Sequence, residues 1–379
     1  MSPATADEAF LRQALALARK GVGRTAPNPA VGAVIVRGGQ ILGEGWHRQA
    51  GRPHAEIEAL RDAASRGHDV RGTTMYVTLE PCCTHGRTPP CTDALIAAGL
   101  RRVVVAAADP NPAHAGHGFE VLRAAGVEVT TGVLAGEAAR LNEAFNHWIV
   151  ARTPFVVLKA AMTLDGRIAT ADGESKWITG PAARALALRL RAACDAVLVG
   201  INTVLADDPS LTVRTRAGRP ASRQPRRLVL DTQARTPLTA KLLTDDFAAQ
   251  TIVIVGKSAP ARRVAALRQR AGVLVAPERG GRVDLRWLMR ELGRQQVTRL
   301  LVEGGGEVHG ALVDARLVHR VAFFYAPKVL GDRAARKAVA GAGAKSWAGV
   351  LRLAEVATRR VGPDLFLTGL VLPRQLTPS

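Results

Sequence analysis

Two periodicities alternate along the first 150 residues. In "DEAFLRQALALARKG" apolar side chains fall three and four positions apart, the spacing of one helix face, and the run stops at a glycine. "AVGAVIVRGGQILGEGWH" holds two short apolar runs around Gly-Gly, which predicts a β-hairpin. "HAEIEALRDAASRG" returns to helical spacing, and "TTMYVTLEPC" predicts a strand running into a cysteine-bearing loop. Helix "TDALIAAGL", strand "RRVVVAAADP", helix "GFEVLRAAG" and strand "VEVTTGVL" follow, and "GEAARLNEAFNHWIVART" predicts one closing helix. Strands that alternate with helices in this way imply an open sheet covered by helices on both faces.

A second β/α series begins near Pro154. "FVVLKAAMTL" and "AVLVGINTVL" read as buried strands on either side of the helix "GPAARALALRLRAAC". "RRLVLDTQ", "QTIVIVGK" and "GVLVAP" predict further strands, "VDLRWLMRELGRQ" a helix, and "RLLVEGGGEVHGALVDARLV" a strand, loop and helix. "RVAFFYAPKVLG" and "DLFLTGLVLP" complete the sheet, and the polar "RTRAGRPASRQPRR" is a loop inside this half. The two halves share no period, so the expectation is an α/β chain of two different domains, 1–150 and 151–379. A length of 379 residues agrees with two domains at about 150 residues each.

Composition narrows the class. Hydrophobic residues at 47% and charged residues at 22% are those of a soluble globular protein. No apolar run approaches the roughly 18 residues of a membrane span, and "MSPATADEAF" lacks the basic head of a signal peptide. A cytoplasmic setting is the expectation, where four cysteines serve as metal ligands or inert thiols. The net charge of +20 comes mainly from arginines scattered singly and in pairs, without a basic tract, and aromatics make up only 4%. That pattern argues against a nucleic-acid surface and for phosphorylated small molecules as beneficiaries of the charge.

Three of the four cysteines crowd into "EPCCTHGRTPPC". His54 opens one helix with Glu56 two residues on, Cys82 follows a strand and a proline, and Cys91 opens the next helix. A thiolate at a helix N-terminus feels its positive end, which favours ionisation and metal binding. One imidazole and two thiolates make a three-ligand zinc site with the fourth position open to solvent, the pattern of a catalytic zinc. Glu56 is then placed to take a proton from water and pass it to a leaving amine. Cys83 reads as a bystander because adjacent residues seldom both face one metal. His85 is a second-choice ligand or substrate contact, and Cys194 reads as a buried thiol.

The H-x-E…P-C arrangement resembles zinc nucleobase deaminases, whose form is P-C-x-x-C. Here the eight residues "CTHGRTPP" separate the cysteines. "NPAVGAVIV", "PHAEIEAL", "YVTLEPCCTHGRTPPCTDALIAAG" and "DPNP" together resemble the deaminase half of the bifunctional riboflavin-biosynthesis deaminase–reductases. The chain departs from that family's pattern at Cys83 and Thr84, where Ser-His is common. The resemblance implies a cytidine-deaminase-like αβα sandwich with zinc on His54, Cys82 and Cys91, and Glu56 as proton carrier. Its substrate would be a diaminopyrimidinone carrying a ribosylamino phosphate. Asn28 and His47, or Arg87, are candidates to hold ring and phosphate.

"LKAAMTLDGRIA", "GESKWITG", "NTVLADDPSLTVR", "VLDT", "LLVEGGGEVHGALV" and "APKVLG" extend the resemblance to the reductase half, with a dihydrofolate-reductase-like α/β fold. By itself "EGGGEVHG" offers backbone amides and a helix N-terminus to a pyrophosphate, and it lacks the G-x-G-x-x-G of a Rossmann fold. The resemblance implies NADPH-dependent reduction of a ribosyl group to ribityl. Ala161, Trp177, Thr203, Asp207, Thr232, Gly305, Gly306 and Glu307 would then contact the cofactor. Ser175, Arg191, Leu211, Arg214 and Glu303 would contact the substrate. Lys159, a charge within an apolar strand, is a further substrate candidate. Asp207 or Asp208 would assist proton transfer, and Asp165 shapes a turn. A homo-oligomer, dimer or tetramer, is also expected from the resemblance.

Overall fold

A computed structural model describes residues 3–84, 89–215 and 217–373. The chain divides into two compact units, Met1–Arg152 and Thr153–Ser379. Among the described residues no helix is long and apolar enough to cross a membrane.

The first unit contains α1 (Pro3–Arg19), β1 (Gly32–Arg37), β2 (Gln40–Trp46), α2 (Ala55–Ser65), β3 (Thr74–Leu79), α3 (Cys91–Ala97) and β4 (Arg102–Ala107). It closes with α4 (His117–Ala124), β5 (Glu128–Thr131), α5 (Ala135–Leu141) and α6 (Glu143–Ala151). Its sheet runs β2-β1-β3-β4-β5, antiparallel across the first three strands and parallel across the last three. Alternate residues of β1, β3 and β4 feed two cores. Ala33, Ile35, Val77 and Val105 pack under the helix side chains Ala59, Leu95 and Trp148. Val34, Tyr76 and Val104 pack under Leu11 and Leu15 of α1. This is an αβα sandwich. Two glycines set its spacing: a Cβ on Gly32 would lie 2.1 Å from the Ala14 carbonyl oxygen, and one on Gly45 2.2 Å from that of Ala55. Both helices therefore sit close on the sheet, and α2 carries its first turn to the sheet edge.

The single closing helix expected at the end of this unit is two helices. They break at Asn142, whose side chain accepts from Ala30 N (2.8 Å) and donates to Ala30 O (2.9 Å). That buried amide pairs with a backbone segment as a neighbouring strand would.

The second unit contains β6 (Phe155–Thr163), β7 (Arg167–Ala169), α7 (Pro181–Ala192), β8 (Ala196–Gly200), α8 (Ile201–Asp207) and β9 (Arg226–Leu230). Next come α9 (Lys241–Thr244), β10 (Thr251–Gly256), α10 (Ala261–Arg268), β11 (Gly272–Ala276), β12 (Glu278–Arg279) and β13 (Arg282–Val283). The unit ends with α11 (Leu285–Arg294), β14 (Arg299–Val302), α12 (Gly306–Asp314), β15 (Arg320–Ala326), β16 (Arg336–Lys337), β17 (Leu353–Val361) and β18 (Asp364–Val371). Nine strands form one sheet, β11-β10-β9-β8-β14-β6-β15-β18-β17. Its pairings are parallel from β11 to β15 and antiparallel beyond. One face packs on Leu288, Leu292 and Leu312, the other on Leu242, Leu243 and Leu267.

Two expectations change here. "AVLVGINTVL" is a strand only to Gly200, and 201–207 is helical, because Ile201 and Val204 are buried on one helix face. β17 carries no apolar alternation, since most of it is exposed at the sheet edge, and backbone pairing to β18 defines it.

Candidate functional sites

The chain brings His54, Cys82 and Cys91 together in the first unit. His54 is the N-cap of α2, Cys82 lies three residues past β3, and Cys91 is the first residue of α3. His54 Nδ1 lies 3.6 Å from Cys82 Sγ and 3.4 Å from Cys91 Sγ. Tetrahedral zinc with the usual bond lengths places a nitrogen and a sulfur ligand about 3.6 Å apart. The donor set and its spacing therefore fit a zinc ion. Among the described residues it is the only cluster of three such ligand atoms within 4.8 Å of one another. All four cysteines are free thiols.

The electrostatics favour a thiolate before any cation arrives. Cys82 is lowered to about 4, first because it accepts from the Cys91 thiol, then from His54, with the Cys91 backbone N–H (3.3 Å) adding to both. The same shared proton raises Cys91, and the hydrogen bond with Cys82 raises His54. Glu56 is 2% exposed, and its Oε2 is buried without a hydrogen-bond partner. Burial raises its carboxyl above the ordinary value, although His54 opposes the shift. An unpartnered carboxylate oxygen two residues from a metal ligand is an acceptor waiting for a donor.

Two further layers support this site. His47 Nδ1 donates to the Pro53 carbonyl (3.0 Å), so Nε2 accepts from the Asn28 amide (3.1 Å). The His47 ring meets His54 edge-on at 5.2 Å. Asn28 and His47 thus lie together at the rim of the cluster, whereas His85 and Arg87 lie outside the described residues. Sequence reading passed over Glu80, a buried carboxylate that accepts from Asp109 N (3.0 Å), Gly116 N (3.0 Å) and Gly118 N (2.9 Å). It holds the loop that follows β4 against the cysteine loop, where Cys83 Sγ lies 3.8 Å from His114 Nδ1. A carboxylate closing an otherwise apolar strand was the available signal.

In the second unit a cleft of about 1240 Å³ opens at the ends of the parallel strands. That exceeds the usual range for one small ligand and leaves room for two. Lys159, Arg191 and Glu303 form a largely buried triad in its wall. Arg191 Nε and Nη2 bond the two Glu303 oxygens at 2.6 and 3.0 Å, Nη1 donates to Thr212 O (2.7 Å), and Lys159 Nζ stands 3.8 Å from Glu303. Burial pushes Glu303 up, but Arg191 and then Lys159 outweigh it and hold the carboxyl below its ordinary range. Burial lowers Lys159. Two cations facing one anion leave an excess positive charge, which suits a phosphorylated ligand.

Ala161, Ser175, Trp177, Thr203, Asp207, Leu211, Thr232, Glu303, Gly305, Gly306 and Glu307 line the cleft together with Arg191. Arg214 does not: it is exposed, bridges to Pro220 and donates to Gly218 O (3.3 Å). The two neighbouring aspartates part company. Asp207 faces the cleft and accepts from Ser175 Oγ (3.3 Å), while Asp208 turns away to accept from Lys241 N (2.8 Å). Asp165 shapes a turn, accepting from Leu330 N and Gly331 N. No side chain caps α12, whose N-terminus faces the cleft, and a Cβ on Gly305 (φ +57°) would lie 3.4 Å from Thr203 Oγ1. Free helix-terminal amides and a missing side chain fit the phosphates of a dinucleotide.

Comparison with known proteins bears on both sites. Residues 4–107 match the family described as the cytidine and deoxycytidylate deaminase zinc-binding region, and residues 154–367 match the RibD C-terminal domain. The chain is 43% identical over 364 residues to the riboflavin biosynthesis protein RibD of Actinobacillus pleuropneumoniae, covering 96% of this chain and 95% of the other. It is 43% identical over 373 residues to that of Escherichia coli, covering 95% and 98%. The Acinetobacter baumannii RibD structure superposes with a TM-score of 0.85 at 39% identity, covering 98% and 100%. The Thermotoga maritima diaminohydroxyphosphoribosylaminopyrimidine deaminase/5-amino-6-(5-phosphoribosylamino)uracil reductase gives 0.84 at 35%, covering 97% and 99%.

Proposed function

The chain belongs to the RibD family, and from that premise we propose how its own residues divide the work. It is a bifunctional enzyme of riboflavin biosynthesis, a zinc-dependent deaminase and an NADPH-dependent reductase. Its substrates are nucleotide-like, and we take them to be the phosphorylated pyrimidines for which the Thermotoga protein is named. We assign deamination to residues 1–150 and reduction to 151–379, a division that the two compact units support.

For the first step His54, Cys82 and Cys91 would hold the zinc, which when bound would supply Lewis acidity toward water. Glu56 Oε2 takes the proton that water gives up and returns it to the departing amino group, so that a C–N bond breaks, a C–O bond forms and ammonia leaves. Asn28, oriented by the neutral His47, presents its amide to the pyrimidine. For the second step NADPH, when bound, would supply the hydride. Gly305, Gly306 and Glu307 bind its phosphates, with Ala161, Trp177, Thr203, Asp207 and Thr232 completing its site. Ser175, Leu211 and the Lys159–Glu303–Arg191 triad hold the substrate, and Asp207, the aspartate that faces the cleft, stands where a proton can move.

We place the enzyme in the cytoplasm, where reduced thiols persist, and without a nucleic-acid or membrane partner. It assembles as a homo-oligomer, dimer or tetramer. Val356 on the edge strand β17 and Leu365 on its neighbour β18, both exposed, support an association surface, and sedimentation velocity measures the state.

The observation that carries this reading is the convergence of three metal ligands beside a buried glutamate whose Oε2 has no hydrogen-bond partner. Incubating the protein with the diaminopyrimidine ribosylamino phosphate tests it. Ammonia appears without NADPH, and NADPH is oxidised only after deamination. NADPH oxidation without prior ammonia release overturns the order.

A further inference from the structure

One end of the second-unit cleft lies away from the Lys159–Glu303–Arg191 triad. The triad stands at β6 and β14, whereas Thr232 lies just past β9, two to three strands along the sheet order, or roughly 10–14 Å at the usual strand spacing. There the short β12–β13 hairpin turns through Gly280 and Gly281, both at positive φ, and presents Arg282. Arg282 Nη2 lies 3.8 Å from Glu307 Oε2 in the first turn of α12. Its neighbour Val283 donates its backbone N–H to Thr232 Oγ1 (3.4 Å). Arg282 therefore bridges the uncapped helix N-terminus and the tip of β9, and Arg282, Val283, Thr232 and Glu307 all line the cleft.

We propose that Arg282 is the residue by which the reductase distinguishes NADPH from NADH, its guanidinium taking the phosphate on the adenosine ribose. This rests on the reading that Gly305, Gly306 and Glu307 bind the dinucleotide pyrophosphate. With the reacting end at the triad and the pyrophosphate at α12, the adenosine ribose falls one sugar farther out, beside Thr232. A guanidinium matches a phosphate dianion in two parallel bonds. Thr232 Oγ1 accepts from Val283 N and keeps its own proton to donate. Of the cations that line the cleft, Arg282 is the one placed by its neighbour's bond to Thr232. Arg191 is committed to Glu303, Arg184 lies over the Trp177 ring at 4.4 Å, and Arg235 donates to Asn202 Oδ1 at 3.0 Å. The Arg282–Glu307 pair, with side chains 73% and 67% exposed, is held weakly and exchanges readily for a phosphate.

The test is calorimetric titration of the zinc-loaded full chain with NADP+ and NAD+. Arg282→Ala weakens NADP+ by about ten- to a hundredfold and leaves NAD+ unchanged, and Arg282→Lys recovers part of the loss. The kcat/KM preference for NADPH over NADH falls by the same factor, through KM. A variant that weakens both dinucleotides equally, or neither, overturns the proposal, as does loss of the preference in Arg235→Ala with its retention in Arg282→Ala. The underlying reading fails separately, if Thr203→Trp, which fills the cleft beside Gly305, leaves NADP+ binding intact.

Discussion

On the proposed assignment, the chemistry of the first unit rests on side chains: an imidazole, two thiols and a carboxylate gathered by the starts of two helices and the segment after a strand. The proposed chemistry of the second unit rests on shape: a cleft of about 1240 Å³, glycine backbone at an uncapped helix, and an ion triad drawn from α7, β6 and the residue after β14. A side-chain site depends on a few irreplaceable groups and fails abruptly when one is removed. A backbone site has no atom to delete, and its weak points are the side chains that keep the wall in place. Substitutions should therefore act as all-or-none on ammonia release and by degrees on NADPH oxidation.

Removing the metal separates the two most sharply. Treating the protein with a chelator should abolish ammonia release, with recovery on adding zinc, while NADPH oxidation on pre-deaminated substrate continues. Loss of both activities would show that the reductase also needs the ion. Glu56→Ala should lower deamination by about 10²–10⁴-fold, the range of a general acid–base group, with zinc content by elemental analysis unchanged. Turnover near wild type in that variant would remove Glu56 from the mechanism.

Glu303→Gln should act on stability. It leaves Arg191 and Lys159 facing each other without a counter-charge, and breaking a buried pair of this kind costs about 3–5 kcal/mol. Urea unfolding should show that loss in the second unit, and an unchanged midpoint would mean that water reaches the triad. The smallest effect belongs to His47, which burial holds below its ordinary 6.5 despite the Pro53 carbonyl. The folded ring stays neutral where the unfolded one takes up a proton. Its contribution is thus intact above about pH 6.5 and is lost as pH falls from there through the folded value. Deamination should decline over the same interval as Asn28 loses its acceptor, and His47→Gln should flatten that limb of the profile.

Sequence reading went furthest where local rules decide. The strand–helix alternation of the first unit was legible from periods of 2 and 3.6, and His54 and Cys91 stand at helix starts as their context implied. It failed where a distant partner decides. β17 owes its pairing to β18 and shows no apolar pattern. Asn142 breaks a helix in order to bond Ala30, more than a hundred residues away. Asp207 and Asp208 are identical in the sequence and differ only in where α8 ends, with Asp208 at φ +40° turned toward Lys241.

What the amino-acid order determined by itself was the inventory: which groups can bind zinc, which can move a proton, and which stretches have the period of a strand or a helix. Those properties reside in single residues or their near neighbours. Tertiary structure alone decided which of them meet. It left Glu56 Oε2 without a partner, tied Arg191 to Glu303, sent Arg214 to an outer turn and placed Arg282 beside α12. The physical reason is that distance and burial, which set the strength of every charge and hydrogen bond, are fixed by contacts between segments remote in the chain.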